Sequence, residues 1–113
     1  MENTENSLIS EGFQELARRD SGNCFGGGGD NRHGLKLRFF AGKRSLVSLV
    51  RVPAHLCGWS SMMHGGIIAT MLDEIMGWTG VHFLKRLPLT SSMKVDYLRS
   101  VRVLETLRVS PAG

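Results

Sequence analysis

Residues 64–86, HGGIIATMLDEIMGWTGVHFLKR, constrain the fold more than any other stretch of the chain. Ile67, Ile68, Met71, Leu72, Ile75, Met76, Trp78, Val81, Phe83 and Leu84 recur at helical spacing and take up most of the circumference. A helix that is apolar almost all round is a buried helix. At 1.5 Å per residue it is about 30 Å long, which is as long as a small domain is wide. The rest of a 113-residue chain must therefore wrap it. Its polar exceptions, Thr70, Asp73 and Glu74, are where chemistry is expected.

The flanking segments supply the wrapping. Apolar spacing at Leu8, Ile9, Phe13, Leu16 and Ala17 predicts an amphipathic helix over 7–19, with Asn6 or Ser7 as its cap and Gly12 as a weak point. Residues 20–34, DSGNCFGGGGDNRHG, are a loop by composition. The four consecutive glycines lack the Gly-Lys-Ser/Thr ending of a phosphate loop, and no strand clearly feeds them. Residues 1–22 are thus expected to form an N-terminal helix and linker, and 23–113 the main domain.

Two strands should follow, over 35–40 (LKLRFF) and 45–52 (SLVSLVRV), joined by a tight turn at 41–44. Pro53 ends the second, and Pro88 stops the long helix. Met93, Val95 and Tyr97 alternate with Lys94 and Asp96, which predicts a strand over 89–99 with one wet face. A further strand is expected over 103–109. The order predicts an α+β domain, a mostly antiparallel sheet curled round one central helix. Four strands are too few to cover so long an apolar cylinder, so either a partner chain or further strands should complete the cover.

The helix start carries the first chemical signal. A His64-Gly65-Gly66 turn presents backbone N–H groups without helical partners, and glycine lets a ligand come close to them. Such an end favours negative charge, as an oxyanion hole requires; a tight turn against another backbone would use the same glycines. Asp73 is the second signal, because a carboxylate within an apolar helix is costly unless paired or functional. Seven residues separate Gly66 from Asp73, so they share a helix face but stand about 10 Å apart. One carbonyl within hydrogen-bonding reach of about 3 Å cannot touch both. If both act on one substrate, a second copy of the helix must supply one of them, and a two-fold axis would make two equal sites.

Composition narrows the alternatives. From Lys85 onward Lys85, Arg86, Lys94, Arg99, Arg102 and Arg108 face only Asp96 and Glu105, so this part holds the whole net charge of +4. It could meet a phosphate-bearing ligand, or simply be a solvated strand face. No nucleic-acid partner is expected, since no basic run is interleaved with aromatics. Nor is a membrane partner, because Asp73 and Glu74 interrupt the best candidate span. Cys24 and Cys57 make no disulfide framework, and the acidic N-terminus has no signal-peptide core, so a cytoplasmic setting is the default. His33, His55, His64 and His82 lack the spacing of zinc ligands, and no metal is expected.

Three stretches carry a family resemblance: CFGGGGDNRHGLKLRFF (24–40), HLCGWSSMMHGGIIATMLDEIMGW (55–78) and LTSSMKVDYLRSV (89–101). Together they resemble hotdog-fold acyl-CoA thioesterases of the PaaI-like branch, within the 4-hydroxybenzoyl-CoA thioesterase superfamily. The resemblance implies a hotdog fold, dimerising into a longer sheet and often into a homotetramer. It implies hydrolysis of an acyl-CoA to free acid and CoA, with no cofactor beyond the CoA of the substrate. By position, Asp73 is implied as the carboxylate that activates water or attacks the carbonyl, and Gly66 as the oxyanion donor. His64 and Gly65 stand beside Gly66. Thr90 falls where the family often holds the attacking water, and Arg99 is an implied substrate contact. Thr90 is out of phase with Met93, Val95 and Tyr97, so a bulge or a late strand start is expected there. Gly27 stands where the family usually has a second cysteine, and Ser100 where it has a proline. The family continues for two more strands after about residue 109, so the fold is expected to be incomplete at the C-terminus. The alternative is a non-catalytic hotdog module that binds acyl-CoA or only dimerises.

Overall fold

The computed structural model describes residues 1–17 and 22–111. Parts of the expected helix over 7–19 and loop over 20–34, and the last two residues of the expected domain, lie outside the described residues.

The N-terminal helix sits earlier than its apolar spacing predicts. Helix α1 is Glu2–Ser10. Gly12, at φ 94°, then turns the chain through a conformation that glycine adopts at little cost. Strand β1, Gln14–Glu15, follows and pairs antiparallel with strand β2, Arg38–Ala41. The 7–19 periodicity therefore merged two elements. Leu8 is the buried residue of α1, whereas Phe13 packs after the turn and Leu16 N–H reaches the Phe39 carbonyl at 2.8 Å.

Strands β2 and β3 (Leu46–Arg51) form the expected hairpin, closed by Gly42 N–H donating to the Ser45 carbonyl at 2.9 Å. Strand β4, Thr106–Val109, pairs with the other edge of β3, giving an antiparallel sheet in the order β1-β2-β3-β4. β3 is buried on both faces, which is why its sequence reads as a nearly continuous apolar run. Leu46 and Val50 share a core with Phe39, Met71 and Ile75. Val47 and Leu49 pack with Leu8 of α1 and Phe40 on the opposite face. Buried Ser48 is satisfied, its hydroxyl donating to the Arg38 carbonyl at 2.8 Å.

Arg38 ties α1 and β1 to the sheet. Its guanidinium donates to Glu5 at 2.7 and 3.1 Å and to Glu15 at 2.7 and 2.8 Å. The hydrogen bonds from Arg38 hold the Glu5 carboxyl below its ordinary range, and the two carboxylates push the guanidinium upward.

The central helix forms nearly as predicted. Helix α2 is Gly65–Thr79 and continues as a π-helical turn, Gly80–Leu84, until Lys85 at φ 57° ends it. Its burial is not as predicted. Only Met71 and Ile75 are fully buried, while Met76 is 49% and Leu84 71% exposed. The sheet meets one side of α2, and within one chain the other side stays open.

The largest departure is the expected strand over 89–99, which does not form. A strand needs an edge to receive its hydrogen bonds, and no described residue pairs with this segment. Only a trace of the alternation survives: Met93 and Val95 are half-buried, Lys94 and Asp96 exposed. The chain regains partners at the Met62–Arg102 bridge and at buried Val103, then enters β4, which is shorter than the predicted 103–109. The four-stranded antiparallel sheet with one long helix is the arrangement of a hotdog fold whose helix is only partly covered. Among the described residues, no helix is long and apolar enough to cross a membrane.

Candidate active site

Helix α2 presents two polar groupings, one at its start and one at its middle. At the start, His64 is the N-cap, and its Nδ1 accepts from Gly66 N–H at 2.9 Å. The expected oxyanion donor is thus occupied by its own neighbour. Gly65 lies under the Tyr97 ring, and the Tyr97 hydroxyl donates to the Gly65 carbonyl at 2.8 Å. His64, Gly65, Tyr97 and Arg99 line one groove of about 460 Å³ with Trp59, Met62, Met63, Ile68, Leu98 and Val101. The structure therefore brings His64, Gly65 and Arg99 together, with exposed Gly66 beside them.

Two turns further on, Asp73 meets Thr90. The Thr90 hydroxyl donates to Asp73 Oδ1 at 2.5 Å. Thr70 does not serve Asp73, because its hydroxyl bonds back to the Gly66 carbonyl at 2.9 Å. Thr90 reaches the carboxylate without any strand or bulge: Pro88 packs on Gly80, so the chain folds back over the end of the helix. Asp73 is half-buried, not sunk in the core as its apolar neighbours in sequence suggested, because the open side of α2 leaves it at the surface of a cleft.

That cleft, about 540 Å³, joins Asp73, Glu74 and Thr90 with Lys85 and Arg86. Trp78, Val81, Leu87 and Pro88 form its apolar wall. Trp78 is fixed by stacking on Phe39, with ring centroids 4.7 Å apart. Lys85 Nζ donates to the His82 carbonyl at 2.6 Å, placing a cation at the helix end.

The glycine loop frames the same cleft. Glu74 packs on it so closely that a Cβ at Gly26 would stand 2.5 Å from Glu74 Cγ and Cδ. A Cβ at Gly28 would collide with the Cys24 backbone nitrogen and the Gly22 carbonyl oxygen. Packing accounts for these glycines, and Cys24 at the loop start reaches the cleft wall. Among the described residues, no three His, Cys, Asp or Glu side chains cluster as a metal site.

Asp73 and the His64-Gly65-Gly66 corner thus open onto different recesses of one chain. A family model described as the thioesterase superfamily matches residues 61–111. This segment is therefore similar to that superfamily. No curated protein and no solved structure matches the chain. The thioesterase segment contains all six residues singled out in the sequence: His64, Gly65, Gly66, Asp73, Thr90 and Arg99. Two further residues, one inside the match and one outside it, were not marked by the sequence. The Tyr97 hydroxyl clamps Gly65, and Trp59, just outside the match, is 83% exposed at the groove mouth. The signal for Tyr97 was its polar tip on an apolar body, which usually seeks a hydrogen-bond partner. The match supports a hydrolase of thioesters.

Proposed function

We propose that the chain hydrolyses acyl-CoA thioesters in the manner of the PaaI-like branch, with each site built from two copies. The observation that carries this reading is the Asp73–Thr90 pair in a cleft that also holds Lys85 and Arg86. Thr90 engages Oδ1 and leaves Oδ2 of Asp73 for a water molecule. The carboxylate takes the proton of that water as its oxygen attacks the thioester carbon, or attacks the carbon itself to form an anhydride that water then cleaves. The oxyanion that forms is met by Gly66 N–H of the neighbouring copy, and the carbon–sulfur bond breaks to release CoA. Lys85 and Arg86 offer charge to the CoA phosphates. No prosthetic group is required. A homodimer provides two such sites, and a tetramer four.

The bond from Gly66 N–H to His64 Nδ1 favours a second reading, a module that binds acyl-CoA without cleaving it. Hydrolysis requires that imidazole to yield the N–H to the substrate oxygen.

The deciding experiment is thiol release from acyl-CoAs, repeated with two variants. Asp73→Asn should lose about a hundredfold or more in kcat. Gly66→Pro removes the N–H within the first helical turn, where proline is tolerated. Each variant alone should be inactive, and their mixture should regain activity through heterodimers that keep one intact site. An Asp73→Asn protein as fast as wild type sinks the mechanism. A mixture that stays dead despite proven exchange of subunits sinks the shared site. Tight acyl-CoA binding without release selects the second reading.

A further inference from the structure

We propose that the open edge of β4 takes residues 94–99 of a second copy as its next strand, antiparallel and with Asp96 opposite Arg108. The inference goes beyond the thioesterase reading and does not depend on it. Among the described residues, β4 has a ladder partner on its β3 side alone. Alternate residues of such an edge present unpaired N–H and C=O groups, a template for a strand from another chain. Residues 93–96 alternate half-buried and exposed, as a strand does, and pair with no described residue.

Faces and charges together select the register. Leu107 and Val109 pack on the core that holds Met71 and Ile75 of α2, while Arg108 turns away onto the Phe13 ring. Met93, Val95 and Tyr97 form the apolar set of the other segment, and the Tyr97 hydroxyl bonds Gly65 of its own α2. Setting Val95 opposite Val109 and Tyr97 opposite Leu107 matches apolar with apolar and puts Asp96 opposite Arg108 on the other face. A slip of one residue reverses the faces. A slip of two sets Lys94 or Leu98 against Arg108. Opposite charges directly across two strands attract, and like charges repel. Asp96 and Arg108 are both exposed, Asp96 standing 3.9 Å from Lys94 and Arg108 3.5 Å from Glu11, and a guanidinium can serve a second carboxylate. The antiparallel direction also brings Arg99 opposite Glu105, whereas a parallel one brings it opposite Pro111, which has no N–H to give. Joined this way, the two sheets run on into one another with both α2 helices on the same side.

This register is also that of a hairpin folded at Arg102, but one chain does not close it. Arg102 bridges to Met62, Met63 N–H donates to the Val101 carbonyl at 2.6 Å, and Val103 N–H to the Ser61 carbonyl at 3.0 Å. Leu104 N–H donates to the Val52 carbonyl at 2.8 Å. Thr90 and Tyr97 meanwhile hold the segment against its own helix. A reciprocal exchange about a two-fold axis gives both copies the pairing that neither makes alone.

The test is disulfide trapping in a Cys24→Ser, Cys57→Ser background, because both native thiols are exposed. Directly opposed residues of antiparallel strands stand about 4.5–5.5 Å apart, within disulfide reach. Asp96→Cys chains mixed with Arg108→Cys chains should cross-link to each other on oxidation, and neither should cross-link to itself. Asp96→Cys chains that trap one another as fast would set two copies of the same segment together and overturn the register. No cross-link in folded variants, as thermal melts report, overturns the pairing. Asp96→Arg and Arg108→Asp should each weaken the dimer about tenfold in sedimentation, since each charge pair occurs twice, and the double exchange should restore it to within about threefold. A double exchange as weak as either single one removes the charge pair. If the variants do not fold, wild type decides: amides of 94–99 and 106–109 should exchange about tenfold more slowly at high than at low protein concentration. Protection that ignores concentration, or that rises only elsewhere, overturns the proposal.

Discussion

Residues 35–52 and residues 85–101 both carry strand signals, the first an alternating run and an apolar run, the second the alternation of Met93, Val95 and Tyr97 with Lys94 and Asp96, yet they end in opposite states. The first becomes β2 and β3, paired along their length and buried on two faces by α2 and α1. The second becomes no strand at all, and Leu87, Leu89 and Leu98 stand 80%, 88% and 89% exposed. Alternation specifies which side chains share a face, but it does not supply an edge to pair with. The consequence is a division of labour. The paired half holds the fold, while the unpaired half reaches back to the helix through Pro88 on Gly80, and through Thr90 on Asp73 and Tyr97 on Gly65 at the two candidate half-sites.

The comparison breaks most directly if the two halves contribute alike to stability. Phe40→Ala empties a fully buried position between the sheet and α1, and should cost about 3–5 kcal/mol in urea unfolding. Leu98→Ala removes a side chain that is almost wholly in solvent, and should stay within about 0.5 kcal/mol. A similar cost for both would mean that residues 85–101 are packed in solution, with a second copy as the obvious cover.

Much of this division was legible in advance, for identifiable reasons. The long helix was readable because its apolar residues recur over about five turns, and its only error was one of burial. Burial depends on what surrounds a helix, and the sequence of one chain does not state that. The β2–β3 hairpin was readable because Pro53 and the 41–44 turn punctuate it. The N-terminal helix was displaced because Phe13 and Leu16 continue the apolar spacing of Leu8 from a different element, beyond Gly12. Of the site, the His64-Gly65-Gly66 corner and Asp73 stood out by residue type. The Asp73–Thr90 contact arose from the fold-back at Pro88 on Gly80, which no period encodes. The Tyr97 clamp and the capped Gly66 N–H are likewise products of tertiary placement.

The glycine loop packs the paired half against α2 and sharpens the contrast. Gly28→Ala drives a Cβ into the backbone of Cys24 and Gly22, and should cost about 2–3 kcal/mol. Gly27→Ala is the control: its Cβ would meet Phe39, Trp78 and Glu74 at 3.7–3.9 Å, ordinary contact distances. It should fall within about 0.5 kcal/mol. Equal costs would show that the loop is looser in solution than its hydrogen bonds to Phe25 and Gly26 imply.

Within the paired half, the Arg38 clamp should respond to acid. Glu5 is held below its ordinary value of 4.5 by the hydrogen bonds from Arg38. Its contribution to stability is therefore complete above that value and is lost as pH falls through the lowered one. The thermal midpoint of wild type should drop as pH is taken below 4.5. Arg38→Leu should start lower at neutral pH and decline less steeply. Parallel curves would remove the clamp from the account of how α1 is held.

The smallest expected effect is also the most informative about the open side of the helix. Gly77 lies within α2 and lines the Asp73 cleft, and a Cβ there would meet nothing within 4 Å. Glycine inside a helix is about 0.8–1.0 kcal/mol less favourable than alanine. In a single dilute chain, Gly77→Ala should therefore raise the unfolding free energy by about 0.8 kcal/mol. If a second copy lies over this side, as a shared site requires, the new methyl group presses into a filled space. The gain should then be present at low protein concentration and shrink as concentration rises. A gain that is the same at every concentration would mean that the helix keeps its open side in solution, and that Asp73 faces no neighbouring His64-Gly65-Gly66 corner.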